Sequence, residues 1–197
     1  MLQEIKINQG EFVLYKLFNS LFLGVSIGII FSIYSPLEPS VYSIGGIGLA
    51  LGMLIVANQY HKILNTKYFY WISLLVELVI LALVIGFLIF SYSYQTALWV
   101  YIGYQLTFIF GSYLLRAETL VLKEDDILTR VDTAKQYGYL IGMGISYVYY
   151  KIFEYSWEIW PYILDAQTQV YLLHYFLLII ELLVIYYLYK SFVAIKL

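Results

Sequence analysis

"FYWISLLVELVILALVIGFLIF", residues 69–90, holds a single ionisable side chain, Glu77, in an otherwise almost unbroken apolar run. As a helix it would rise about 33 Å at 1.5 Å per residue, enough to cross a hydrocarbon core about 30 Å thick. Similar stretches recur at residues 13–34, 41–60, 96–115, 134–153 and 170–190. Helices are preferred to a barrel because barrel strands are about ten residues of alternating polarity, which these are not. Hydrophobic residues make up 62% of the 197 positions and charged ones 12%, against about 45–50% and about 25% in soluble domains. The expectation is an all-α membrane protein, one domain of six transmembrane helices, embedded in lipid.

The opening residues, "MLQEIKINQGEF", precede a long apolar run without a small-residue cleavage site, so no signal peptide is expected. The absence of cysteine excludes disulfides and thiolate metal sites. With six spans, one side carries Lys6, Lys16, Lys62, Lys67, Arg116, Lys123, Arg130, Lys135, Lys190 and Lys196, and the other only Lys151. That asymmetry places both termini in the cytoplasm, and the membrane expected is a prokaryotic cytoplasmic (inner) membrane. "YSWEIWPYILD", residues 155–165, reads as a short aromatic segment at the outer headgroups, anchored by Trp157 and Trp160.

Charge is concentrated in "RAETLVLKEDDILTRVDTAKQYGYLIGMG", residues 116–144, where nine charged side chains fall between Arg116 and Lys135. Residues 116–133 are expected to form a solvated cytoplasmic loop between spans four and five.

Polar and small residues mark faces within the spans. Gly24 and Gly28, Gly48 and Gly52, and Gly138 and Gly142 each form Gly-x-x-x-Gly, a spacing that bares one face of a helix for close backbone approach. In span four, Tyr94, Tyr101, Gln105, Ser112 and Arg116 fall within about 60° of one another at helical periodicity. In span one, Asn19 and Ser26 share a face, with Lys16 nearby. Such stripes line a wet cavity or hydrogen-bond across helices, and the pattern alone fits both. Glu77 and Glu181 lie deep in spans three and six, where an ionised carboxylate would cost about 2.5 kcal/mol or much more. His174 is one heptad from Glu181 on the same face, a spacing compatible with a proton relay; a neutral acid bonded to a tyrosine is the other reading. "LLVELVI" at 74–80 echoes "LIIELLVI" at 178–185, as two three-helix repeats would.

The six-span plan and the stretch 116–144 together resemble one half of a major facilitator superfamily transporter, whose fourth helix leads through an acidic segment into a glycine-rich fifth. The family's acid-and-arginine signature between helices two and three is not matched: "NQYHKILNTKYFYW" offers only Lys62 and Lys67. The resemblance therefore implies a substitute cytoplasmic gate in which Lys62 or Lys67 faces Glu118, Asp125 or Asp132. It further implies a homodimer of half-transporters with alternating access. Asn19, Ser26, Tyr101, Gln105 and Arg116 would line a cavity for a small solute. Gly48, Gly52, Gly138 and Gly142 would lie at the dimer interface, and Glu77, His174 and Glu181 would be available for proton coupling.

A second class of similar size and topology is the substrate-binding membrane subunit of an energy-coupling factor importer, although span one lacks the alanine-rich docking face of that class. A third is a non-transporting membrane assembly protein. No H-E-x-x-H, Walker loop, G-x-S-x-G or metal-ligand spacing is present, so neither an enzyme, a cofactor, a metal site nor a nucleic-acid partner is expected.

Overall fold

A computed structural model of the chain describes residues 5–90, 92–159 and 165–194. In chain order the elements are β1 (Ile5–Ile7), α1 (Gln9–Tyr34), α2 (Pro39–Asn58), α3 (Tyr60–Ile63), α4 (Thr66–Phe90), α5 (Tyr94–Ile109), α6 (Gly111–Leu122), α7 (Asp125–Ile159), α8 (Ala166–Ser191) and β2 (Phe192–Ala194). The chain is an all-α membrane protein in its architecture. Among the described residues, five segments are long and apolar enough to cross a bilayer: α1, α2, α4, the α5–α6 pair and α8. Helix α7 is longer than any of these but more polar, with Asp125 and Asp126 in its first turn.

The helix starts follow from local chemistry. The side chain of Asn8 accepts from Glu11 N, that of Ser93 from Thr96 N and that of Asp165 from Thr168 N, each satisfying a backbone donor that the first turn leaves free. Thr168, through its hydroxyl and its backbone N–H, holds the Asp165 carboxyl below its usual range. Asn65 accepts from Tyr68 N at 3.1 Å before α4, and Pro39 opens α2.

Residues 116–133 do not form a loop. Helix α6 continues to Leu122 and α7 begins at Asp125, so only Lys123 and Glu124 separate them, with Lys123 in the left-handed region at φ 56°. The charges mislead because they ride on amphipathic helices. Tyr113, Ala117 and Leu122 of α6 and Ile127, Val131 and Ala134 of α7 are buried, while Lys123, Glu124, Asp125 and Asp126 face outward. The expected aromatic segment at 155–165 is helical to Ile159, and Trp160 and its neighbours to Leu164 lie outside the described residues.

The short strands were not expected. Ile5 pairs with Ala194 and Ile7 with Phe192 in an antiparallel ladder, so the two ends of the bundle's chain meet at one end of the bundle. Phe192 packs on Phe12 and Phe69, with ring centroids 6.3 and 5.7 Å apart, which brings the starts of α1 and α4 to the same end. The interior is built mainly by α1, α4 and α8, from residues such as Val25, Ile29, Phe69, Val84, Leu177 and Leu188.

Helix α7 lies along α1, and the two run parallel. A Cβ on Gly138 would strike Leu17 O and one on Gly142 would strike Leu21 O; Gly24 and Gly142 face one another across the seam. Gly138 and Gly142 are thus consumed inside the chain, not at a dimer interface. Gly52, likewise expected at that interface, packs on Ile109 of α5, whereas Gly48 faces open space. Replacing Gly142 by Leu should destabilise the fold by about 1–3 kcal/mol or more through overpacking against backbone, whereas Gly144→Ala, which meets nothing within 4 Å, should leave it unchanged. Thermal unfolding of the two variants in detergent checks this.

Candidate functional site

Two polar layers interrupt the apolar interior. In the first, Glu118 of α6 is almost fully buried and bridges two cations from different helices. Its Oε2 lies 2.6 Å from Lys16 Nζ of α1, and its Oε1 accepts from Lys135 Nζ of α7. Asp132 adds a contact to Lys135 at 3.0 Å from the solvent side. The carboxylate forms salt bridges through both oxygens, a geometry in which a buried ion cluster is tolerated.

This replaces the expected gate. Lys62 and Lys67 are exposed, and Glu118 faces neither. Asp125 sits exposed in the first turn of α7, and Asp132 meets Lys135. Arg116, expected at the inner mouth of a cavity, lies over the ring of Tyr60 at 5.6 Å, while Tyr113 donates to Ile63 O at 2.8 Å. Helix α6 is thereby fastened to α3 on one face and to α1 and α7 on another.

The second layer lies deeper. Asn19, Glu77 and Glu181 are ten or eleven residues from the α1 start, the α4 start and the α8 end, which places each about 15–16 Å from the strand-paired end. Tyr15 OH donates to Glu77 Oε1 at 2.6 Å, and Asn19 Nδ2 approaches both carboxylate oxygens at 3.1 and 3.3 Å. Glu181 is wholly buried, and neither of its oxygens has a hydrogen-bond partner among the described residues. His174 does not bond to it. Its Nδ1 lies 2.7 Å from Val170 O, which requires the hydrogen on that nitrogen, and its ring stacks on Phe87 at 3.9 Å between centroids.

The residues expected to line one cavity are dispersed. Asn19 serves Glu77, Ser26 donates to Leu23 O within its own helix, and Tyr101 donates to Tyr42 O of α2. Gln105 differs: its Oε1 is buried without a partner among the described residues. A cavity of about 690 Å³ lies elsewhere, between α4 and α5. Its walls are apolar, from Leu83, Phe87, Trp99 and Leu106, with Ser93, Gln95 and Thr96 at one end. Sequence reasoning missed Tyr15 and did not pair Lys16 or Lys135 with Glu118; the cue for Lys16 was its place three residues before Asn19 in an apolar run.

The fold and these layers define a helical membrane protein with ionisable groups in its interior. No protein-family model, curated protein or solved structure matches the chain.

Breaking a buried ion cluster by removing one partner leaves charge uncompensated and costs about 3–5 kcal/mol. Glu118→Gln is expected to lose stability on that scale, while Lys62→Ala and Lys67→Ala, both exposed, should change it by less than about 0.5 kcal/mol. Denaturant titration of the three variants in mixed micelles decides the matter.

Proposed function

We propose that the chain is a half-transporter: two copies, related by a two-fold axis along the membrane normal, move a small neutral or amphipathic solute by alternating access. The reading takes α7 as a sixth crossing, which agrees with the meeting of β1 and β2 at one end of the bundle. It sets both termini on the cytoplasmic side of a prokaryotic inner membrane.

The observation that carries it is a pattern of packing. Exchange of the first three spans (α1, α2, α4) for the last three (α5–α6, α7, α8) sends each principal contact to another that is present. Helix α7 lies on α1 as α2 lies on α5, and α8 packs on α1 as α4 packs on α5, while α4 and α8 pack on each other. Glycines recur at equivalent places: Gly138 and Gly142 of α7 meet α1, and Gly45 and Gly52 of α2 meet α5, both pairs of helices running parallel. Such a pattern is what two three-helix repeats would give, and it supports reading the chain as one half of a major facilitator transporter. Helix α2 buries none of its residues in the chain, and its Ile44, Ile47, Leu51 and Ile55 are open, a surface suited to a second copy.

A non-transporting assembly protein is the second reading, favoured by the engagement of Asn19, Ser26 and Tyr101 within the chain.

The natural chain has no cysteine, so single cysteines report directly. Gly48→Cys should form a disulfide-linked dimer in native membranes on mild oxidation, whereas Trp71→Cys on the outer face of α4 should not. A chain that remains monomeric in nanodiscs and is not cross-linked through residue 48 would sink the half-transporter. Gln105→Cys should react with a charged, water-soluble thiol reagent if a solute path reaches it. Inertness from both sides would favour the assembly protein.

A further inference from the structure

The structure assigns a proton site to Glu181 of α8, which holds an exchangeable proton at the depth where Glu77 of α4 is kept as the hydrogen-bonded carboxylate. The assignment deepens the transporter reading, on which its role as coupling ion rests, but the site itself stands on separate observations.

The first is the asymmetry of two acids at one depth. Glu77 is 2% exposed and receives hydrogen bonds from Tyr15 and Asn19, so its surroundings are arranged for a carboxylate. Glu181 is 0% exposed and receives none among the described residues. A buried carboxylate without donors is among the most costly states a side chain can occupy, and such a group neutralises itself by taking a proton. Glu181 therefore rests as the acid and Glu77 as the base.

The second is the set of groups around them. From α1 come Tyr15 and Lys16, the latter acting electrostatically on Glu77. Glu118 of α6 acts on Tyr15, and Tyr104 of α5 lies within the field of Glu181. On α8 itself His174 is held by Val170 O and Phe87. Leu177, Ile180 and Val184, along α8 on either side of Glu181, are all buried. A sodium ion needs several oxygen ligands, and no group of three or more His, Asp or Glu side chains that could hold a metal ion occurs among the described residues; a proton needs only the carboxyl.

The donors to Glu77 both belong to α1, whereas the acids belong to α4 and α8. A shift of α1 relative to the other two withdraws Tyr15 OH and Asn19 Nδ2 from Glu77. Glu77, without the donors that stabilise its charge, then binds a proton taken from solvent, and with Glu181 still protonated the pair passes from one negative charge to none.

Infrared difference spectroscopy of the full chain in nanodiscs tests the site without any transport assay. Wild type should show a protonated-carboxyl stretch at neutral pH that shifts in D₂O. The band should vanish in Glu181→Gln, persist at altered frequency in Glu181→Asp, and titrate about one pH unit or more away in Glu77→Gln. Absence of the band in wild type at neutral pH overturns the proposal whatever the variants do. So does its loss when sodium replaces choline at constant pH, which would make the site a metal-cation site. A normal band together with failure of residue 48 to cross-link would leave the proton site standing and remove the half-transporter.

Discussion

The close approach of two backbones, at Gly24 on α1 and Gly138 and Gly142 on α7, fixes the register on which both polar layers depend. A side chain at any of these glycines would force the helices apart, because the atoms it would meet are peptide atoms, which cannot move aside. With Gly138 set against Leu17, Lys16 and Lys135 fall one and three positions from the contact and converge on Glu118. Neighbouring Tyr15 and, one turn of helix on from Lys16, Asn19 are aimed at Glu77. In lipid, where apolar surface gives no drive for association, such packing and a few interior polar contacts must supply the specificity that a hydrophobic core supplies in water.

The two layers are not independent, because Lys16 belongs to both. It neutralises Glu118 directly at 2.6 Å and acts on Glu77 through the low dielectric between them. Any motion of α1 that weakens one contact alters the charge balance of the other. A rigid α1–α7 unit moving against an α4–α8 unit would change the Glu118 cluster and the donors of Glu77 together, which is how a charge near one membrane face and an acid near the midplane can be read as one device.

What was legible in the sequence was whatever depends on a single helix. Five of the six expected apolar stretches coincide with helices apolar enough to cross a bilayer, while 134–153 lies within the more polar α7, and the starts of α1, α5 and α8 are explained by Asn8, Ser93 and Asp165 beside them. What was illegible depends on partners far along the chain. Nothing local says that Glu118 answers Lys16 across more than a hundred positions, and the exposed lysines nearest a loop, Lys62 and Lys67, looked equally suitable. The charges of 116–133 were read as solvent-facing loop because their number hid the spacing of Tyr113, Ala117, Leu122, Ile127, Val131 and Ala134, which is helical. Gly24, Gly52, Gly138 and Gly142 do lie at close contacts while Gly48 is open, and the motif does not name the surface it meets. The strands escaped notice because three residues at each end have no periodicity to read.

The two parallel helix pairs, α1–α7 and α2–α5, both pack through glycine but differ in stiffness. On the α1–α7 side, glycine meets backbone, and three glycines lock the seam. On the α2–α5 side, Gly45 and Gly52 meet the side chains of Tyr101 and Ile109, which have rotamers to exchange. The α5–α6 rod is also interrupted at Phe110, whereas α1 is continuous over its 26 residues. Helix α2 buries nothing and touches mainly α5, so the α2–α5 pair is the more compliant one, and its Gly48 is open. If a second copy closes over α2, it does so on the helix that can adjust. Lys16 and Lys135 ride on the stiff α1–α7 pair, where an error of an ångström would leave the buried Glu118 without its partners.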